Sequence, residues 1–341
     1  MQIKQLITEE ECKKWDYFVA QTANSTFFHK SGWKQVIEQS LGHRTYYTYV
    51  EEKGEIVAIL PLAHVKSIYF GNALISTPLC VYGGILTISD SASNKLQDFA
   101  CDLAKKLNVD YLEFRNRNEV QNNWPKKDLY VTFRKQLVED VDENLKQIPR
   151  KQRAMIRKGE KFGLQLVEND TVNEFFKAYS ESVRNLGTPV LSKAVYKKIH
   201  EVFLGDCALH SVELENETIA SVMSFYFKDE VLPYYGGGIY KSRSLKANDF
   251  MYWELLKLSV ARGVRVFDFG RSKVDTGSFS FKKHWGFVPE PMCYQYYLVK
   301  SQSLPNISPT NPKYQLFIKL WKKLPLSIAN YFGPFLAKYL V

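Results

Sequence analysis

The sequence has no CxxC pair and no HExxH, and its six histidines show no metal-ligand spacing. No metal centre is expected from such a pattern. The cysteines Cys12, Cys80, Cys101, Cys207 and Cys293 are scattered and odd in number. That argues against a disulfide framework and for a reducing compartment. There is no GxSxG elbow, no GxxxxGK[ST] phosphate loop and no GxGxxG turn with an acidic partner. Serine-hydrolase, P-loop and dinucleotide chemistry therefore have no support. No apolar run approaches the ~18 residues of a membrane span. The opening "MQIKQLITEEECKKW" is charged where a secretory signal would be apolar. A cytoplasmic location is expected.

What the chain does have is ample apolar material. Its 341 residues are 45% hydrophobic and 14% aromatic, enough for two domains with real cores. The formal net charge of +10 favours anionic partners without choosing between nucleic acid, phosphorylated substrates and anionic lipid.

The second half of the sequence echoes the first. "VYGGI" begins at Val81 and "YGGGI" at Tyr235; "YLEF" begins at Tyr111 and "VFDF" at Val266. Both pairs sit in a β-β-β-α-β order, which predicts a duplicated unit of about 150 residues. In the first half, Thr8 and Glu11 make a capping box for a helix over "EEECKKWDYFVAQ", and Ser31 and Gly42 bound a second helix. Turns are predicted at Lys53-Gly54 and near Asn216.

Between the halves, Lys146, Arg150, Arg153, Arg157 and Lys161 recur at helical spacing, with Ile148, Met155 and Phe162 on another face. This predicts an amphipathic helix after Pro149 with a cationic stripe, either a solvated face or an anion site. After Val299 a Ser-, Pro- and Asn-rich stretch reads as a linker. Beyond it Leu316, Phe317, Leu320, Trp321 and Leu324 form an apolar stripe beside Lys319, Lys322 and Lys323. Such a tail either lies in a membrane interface or packs on the protein or a second copy.

The densest chemistry lies in "VFDFGRSKVDTGSFSFKKHWGF", Val266 to Phe287. It reads as a strand, a charged loop from Arg271 to Lys283, and an aromatic end. Lys282 and Lys283 either snorkel from an apolar strand or provide a clamp, protonated if partly solvated, where negative charge develops. Gly236 to Gly238 mark a bulge or a close backbone approach. "KSRSLKANDF" brings Lys241, Arg243 and Lys246 to a helix start suited to a phosphate or an oxyanion.

Together "PRKQRAMIRKGEKFGL", "KANDFMYWELLKLSVARGVRVFDFGRSK" and "GSFSFKKHWGF" resemble the Fem family of aminoacyltransferases, in particular the FemAB-related proteins of exosortase (PEP-CTERM) and exopolysaccharide gene systems. The likeness runs from about Phe27 to Val341. It implies an α+β fold of two tandem GNAT-like acyltransferase domains with mixed central sheets, 1–145 and 146–300, and a linker with an amphipathic helical tail, 301–341. It also implies transfer of an acyl or aminoacyl group to an amine of a phosphate-bearing cell-envelope precursor, of peptidoglycan or exopolysaccharide. Phe281-Lys282 matches the family's Phe-Lys pair, so Lys282 would stabilise the oxyanion or the leaving group. Asp268, Asp275 or His284 would take the proton. Arg150, Arg153, Arg157, Tyr235, Gly237, Arg243, Asn248, Arg271, Lys273 and Trp285 make up the expected substrate-binding set. The family's long coiled-coil arm is missing, and "SRSLKAN" has no glycine. Aminoacyl-tRNA is the expected donor, with acyl-CoA less supported and no other cofactor. The alternatives are a tRNA- or precursor-binding protein without catalysis and a membrane-docked assembly factor.

Overall fold

The computed structural model describes residues 1–67, 70–117, 123–305 and 312–340. One sequence reading falls partly outside them, the linker after Val299. The chain divides into two compact units, Met1–Leu129 with Pro291–Asn306 and Lys338–Val341, and Tyr130–Glu290 with Ile307–Ala337.

The first half contributes β1 (Gln2–Gln5), β2 (Arg44–Glu52), β3 (Glu55–Ser67), β4 (Gly71–Ser76), β5 (Leu86–Thr87), β6 (Tyr111–Asn116) and β7 (Lys126–Lys127). There follow β8 (Tyr130–Gln136), β9 (Gln165–Asn169), β10 (Cys207–Leu214), β11 (Glu217–Phe227), β12 (Glu230–Gly238), β13 (Val266–Asp268), β14 (Ser272–Lys273), β15 (Pro289–Pro291) and β16 (Cys293–Leu298). The sheet of the first unit runs β1-β2-β3-β4-β6-β16-β7, with β5 on β3. That of the second runs β9-β10-β11-β12-β13-β8-β14, with β15 on β8. Position by position the two orders agree. β4 pairs parallel with β6 and β12 with β13, while the other ladders described are antiparallel. The predicted duplication is therefore real and gives two mixed sheets.

The equivalence carries an exchange. The slot after β6 is filled by β16 from the far end of the sequence, and the matching slot after β13 by β8. Each sheet is closed by a strand from the other half of the chain.

The hairpin turns were legible. Lys53 and Gly54 join β2 to β3, and Glu215 and Asn216 join β10 to β11, all with positive φ, as two-residue turns with the right twist demand. The capping box at Thr8 and Glu11 forms. Ser31 caps nothing; its hydroxyl donates to Asp16 at 2.7 Å. "VYGGI" is a loop rather than a strand. β4 stops at Ser76, and Thr77 and Leu79 both take positive φ, which ends a strand of non-glycine residues.

The helix Arg150–Lys161 begins after Pro149, but Lys146 belongs to the preceding helix Val141–Lys146 and pairs with Glu143. Its buried face is Gln152, Ile156 and Gly159 rather than Met155 and Phe162; Phe162 is exposed. Gly159 lets this helix meet the helix Ala247–Ala261 closely, since a Cβ there would stand 2.8 Å from Phe250 Cβ.

The second core gathers Phe133, Phe267, Phe269, Trp285 and Phe287 around that helix pair. Beneath it on β10, His210 is buried and neither ring nitrogen has a hydrogen-bond partner among the described residues. Burial pushes its pKa from 6.5 down to about 4. The unfolded chain then binds more protons between those values. Stability from the neutral ring is complete above pH 6.5 and drains away as pH falls towards 4, by roughly 3 kcal/mol. His210→Leu is expected to raise the melting temperature near neutrality and to flatten its decline between pH 6.5 and 4. Thermal melts across that range check this, and a variant with the wild-type acid slope contradicts it.

Candidate active site

The site lies where β12 parts from β13: the two pair at Glu230 and Val231, while β12 stays paired with β11 to Gly238. Met223 pairs with Tyr235 but Ser224 with Pro233, so Tyr234 is an extra, bulged residue. The bulge precedes Gly236, Gly237 and Gly238, which close the strand. These glycines answer a close approach. A Cβ on Gly237 would stand 2.5 Å from Ser182 Cβ, and one on Gly236 2.9 Å from the Tyr252 hydroxyl. Between them and the C-terminal segment opens a cavity of about 270 Å³.

The opposite wall is a helix, Gly277–His284, where the sequence suggested a loop and a strand. Thr276 caps it by accepting from the Phe279 N–H at 3.4 Å. Helical spacing then turns Phe281, Lys282 and Trp285 inwards and leaves Ser278, Lys283 and His284 exposed. Ser278, Phe281 and Lys282 line the cavity, while Trp285 sits behind it with Nε1 donating to Asp249 at 3.1 Å. Asp249 also accepts from Gln152 of the basic helix. One carboxylate thus ties three helices together behind the cavity wall.

Lys282 is buried. Its Nζ donates to the carbonyls of Gly270 at 2.8 Å and Arg271 at 3.1 Å and stands over the Phe133 ring. Burial pushes its pKa down to about 7; the charge of Asp268 pulls upwards and that of Arg271 downwards. The sequence reading made an ordinary ammonium conditional on partial solvation; Lys282 is buried instead, and desolvation outweighs the nearby carboxylate. Asp268 is fully buried on β13, accepting from Thr132 at 3.0 Å and the Gly270 N–H at 2.7 Å, with Arg134 Nε at 3.5 Å.

Of the predicted set, Lys282, Phe281, Gly237, Arg243 and Asn248 meet around the cavity. The Asn248 Oδ1 is buried there without a hydrogen-bond partner among the described residues. Buried acceptors are normally paired, so this one is an open hydrogen-bonding position at the cavity wall. Asp268 lies beneath the site, whereas Asp275 and His284 are exposed and outside its lining. Tyr235 belongs to an aromatic cluster with Tyr179 and Tyr196. Arg271 and Lys273 face the Tyr130 ring. Arg150, Arg153 and Arg157 stay on the basic helix, in no ion pair among the described residues. Sequence reasoning missed Ser182, Asn185, Ser242, Tyr252 and Ser278. The Thr276 cap was the signal that would have found Ser278.

The first unit has a matching cavity of about 210 Å³, lined by His29, Tyr82, Gly84, Asn116 and Arg117 among others. No lysine lines it. Asn116 fills the space beside Gly84, and the buried Arg115 pairs with Glu113 at 2.8 Å. Glu113 is the counterpart of Asp268 in the repeat.

Residues 144–283 match the family model described as an acetyltransferase (GNAT) domain. FemX superposes with a TM-score of 0.67 at 14% identity, covering 93% of this chain and 100% of that one. L-PGS from Bacillus licheniformis gives 0.56 at 14%, covering 95% and 100%. A tandem GNAT protein from the clavulanic acid biosynthesis pathway gives 0.55 at 12%, covering 89% and 99%. The fold is a tandem GNAT fold. A search of curated proteins found no significant match. Each unit carries a cavity beside its glycine motif, on a strand in the second and on a loop in the first, and among the described residues a lysine lines that of the second.

Gly237→Ala is expected to destabilise the second unit by about 1–3 kcal/mol, because the added methyl meets Ser182. Combining it with Ser182→Gly should recover part of that loss. Denaturant unfolding of the two variants checks this, and a single variant as stable as wild type contradicts it.

Proposed function

We propose that the chain is an N-acyl or aminoacyl transferase that acts on an amine of a phosphate-bearing cell-envelope precursor, of the peptidoglycan or exopolysaccharide type. The observation that carries this is Lys282: a buried amine with a pKa near neutrality, on the wall of a small cavity facing a glycine strand. In the reaction the acceptor nitrogen attacks the donor's carbonyl carbon. The C–N bond forms and the carbonyl oxygen becomes an oxyanion. Lys282 in its ammonium form offsets that charge. Collapse breaks the bond to the leaving oxygen, which takes a proton from Lys282, and the attacking nitrogen gives its proton back to the amine. A group titrating near 7 can do both. Asn248 Oδ1 would accept from the acceptor's N–H.

The cavity admits an acyl or aminoacyl group but no whole carrier. The cationic stripe of Arg150, Arg153, Arg157 and Lys161 is suited to phosphates further along the donor or acceptor. That suits aminoacyl-tRNA as donor, with acyl-CoA second. The names of the similar structures, among them a putative lysylphosphatidylglycerol synthetase, accord with aminoacyl chemistry.

The same stripe favours a second reading, a protein that binds tRNA or a phosphorylated precursor without chemistry. Salt-dependent tRNA binding with no acyl product in any assay would support it. The first reading predicts that envelope precursors from cells carrying the gene show an acyl or aminoacyl mass increment missing without it. Lys282→Met should remove the increment, lowering transfer about 10²–10³-fold while the fold is kept. Wild type should decline in rate above pH 7, and Lys282→Arg, charged at all working pH, should keep part of the rate and lose that decline. Full activity of Lys282→Met removes the mechanism.

A further inference from the structure

The tail resolves into two helices, Pro312–Trp321 and Leu326–Ala337. The second presents its small residues to the protein and its large ones to solvent. Ala329, Gly333 and Ala337, at i, i+4 and i+8, are buried. A Cβ on Gly333 would stand 2.8 Å from the Val190 carbonyl, so the contact is tight. On the other side Ile328, Tyr331, Phe332 and Phe335, at i, i+3, i+4 and i+7, are 41, 68, 53 and 61% exposed. A surface helix that merely closes a core has the opposite polarity. The preceding helix exposes Leu316 and Leu320 while burying Trp321. The tail is nonetheless anchored: Arg184 Nη1 donates to the carbonyls of Lys322 and Leu324, each at 3.3 Å.

Charge identifies the occupant. From Ser301 to Val341 the sequence contains Lys313, Lys319, Lys322, Lys323 and Lys338 and no aspartate or glutamate. Lys319, Lys322 and Lys323 are exposed next to the apolar side chains. Aromatic and aliphatic groups flanked by lysines alone fit the boundary between anionic headgroups and acyl chains. No helix among the described residues is long and apolar enough to cross a membrane, so the contact lies along the surface.

We propose that the tail helices dock the protein peripherally on an anionic lipid bilayer, with Tyr331, Phe332 and Phe335 inserted and Lys319, Lys322 and Lys323 among the headgroups. This holds whether or not the chain transfers acyl groups. It bears on the site as well. The helix Val172–Leu186 carries Arg184 against the tail and Ser182, Asn185 and Leu186 into the cavity lining. Docking would bring the cavity within about a helical turn of that anchoring contact.

The test is flotation of the purified full chain with vesicles of phosphatidylcholine alone and of phosphatidylcholine with phosphatidylglycerol, at low and high salt. The wild type should float with the anionic vesicles and not with the neutral ones, less so in high salt. Replacing Tyr331, Phe332 and Phe335 together by serine should weaken partitioning about tenfold or more at an unchanged melting temperature. Replacing Lys319, Lys322 and Lys323 by glutamine should weaken it about tenfold and remove most of the salt dependence. Equal flotation of wild type and the serine variant overturns the proposal, as does no flotation of wild type at low salt. A soluble dimer that these serines dissociate would assign the face to a second copy and likewise overturn it.

Discussion

A buried carboxylate needs a buried cation, and the second unit is arranged around that need. Asp268 is removed from solvent at the end of a central strand, where an isolated charge would be prohibitive. Thr132, the Gly270 N–H and Arg134 meet it directly, and its charge acts on Lys282. The first unit solves the same problem within one strand, since Glu113 pairs with Arg115 two residues on. In the repeat, Gly270 stands where Arg115 would be. Its carbonyl, in place of a guanidinium, holds the lysine that reaches over from the Gly277–His284 helix. One duplication thus yields a static ion pair in one copy and a titratable amine at a cavity in the other.

The strand exchange makes this possible. β8 carries Thr132, Phe133 and Arg134 beside β13, so three of the groups around Asp268 and Lys282 come from the end of the first half of the sequence. No linear reading of Val266 to Phe287 could have supplied them. The duplication itself was legible, because glycine motifs and acid-bearing strands recur at nearly the same offset, 154 and 155 residues. So were the hairpin turns, whose positive φ values restrict the residues allowed. The exchange was not legible, as both strands would satisfy either sheet by alternation alone.

The site was half legible. Phe281 and Lys282 stood out by resemblance, and Gly237 and Asn248 by their place near the turn into a helix. The wall opposite was misread because aromatic residues in "SFSFKKHWGF" alternate like a strand. The Thr276 cap and the inward spacing of Phe281, Lys282 and Trp285 decide for a helix once tertiary packing acts. Asp249 carried no signal, since its partners Gln152 and Trp285 lie far away in sequence. The tail was read as either packed or interfacial, and it packs by its small residues while leaving its large ones exposed.

The account turns on the state of one nitrogen. Isotope-labelled lysine NMR, with Lys282 assigned by its loss in Lys282→Met, follows the side-chain resonance through a pH titration. A midpoint near 7, well below that of the other lysines, is the predicted result. A midpoint near 10 would show the ammonium to be an ordinary solvated cation, and the site would lose the group on which its chemistry depends.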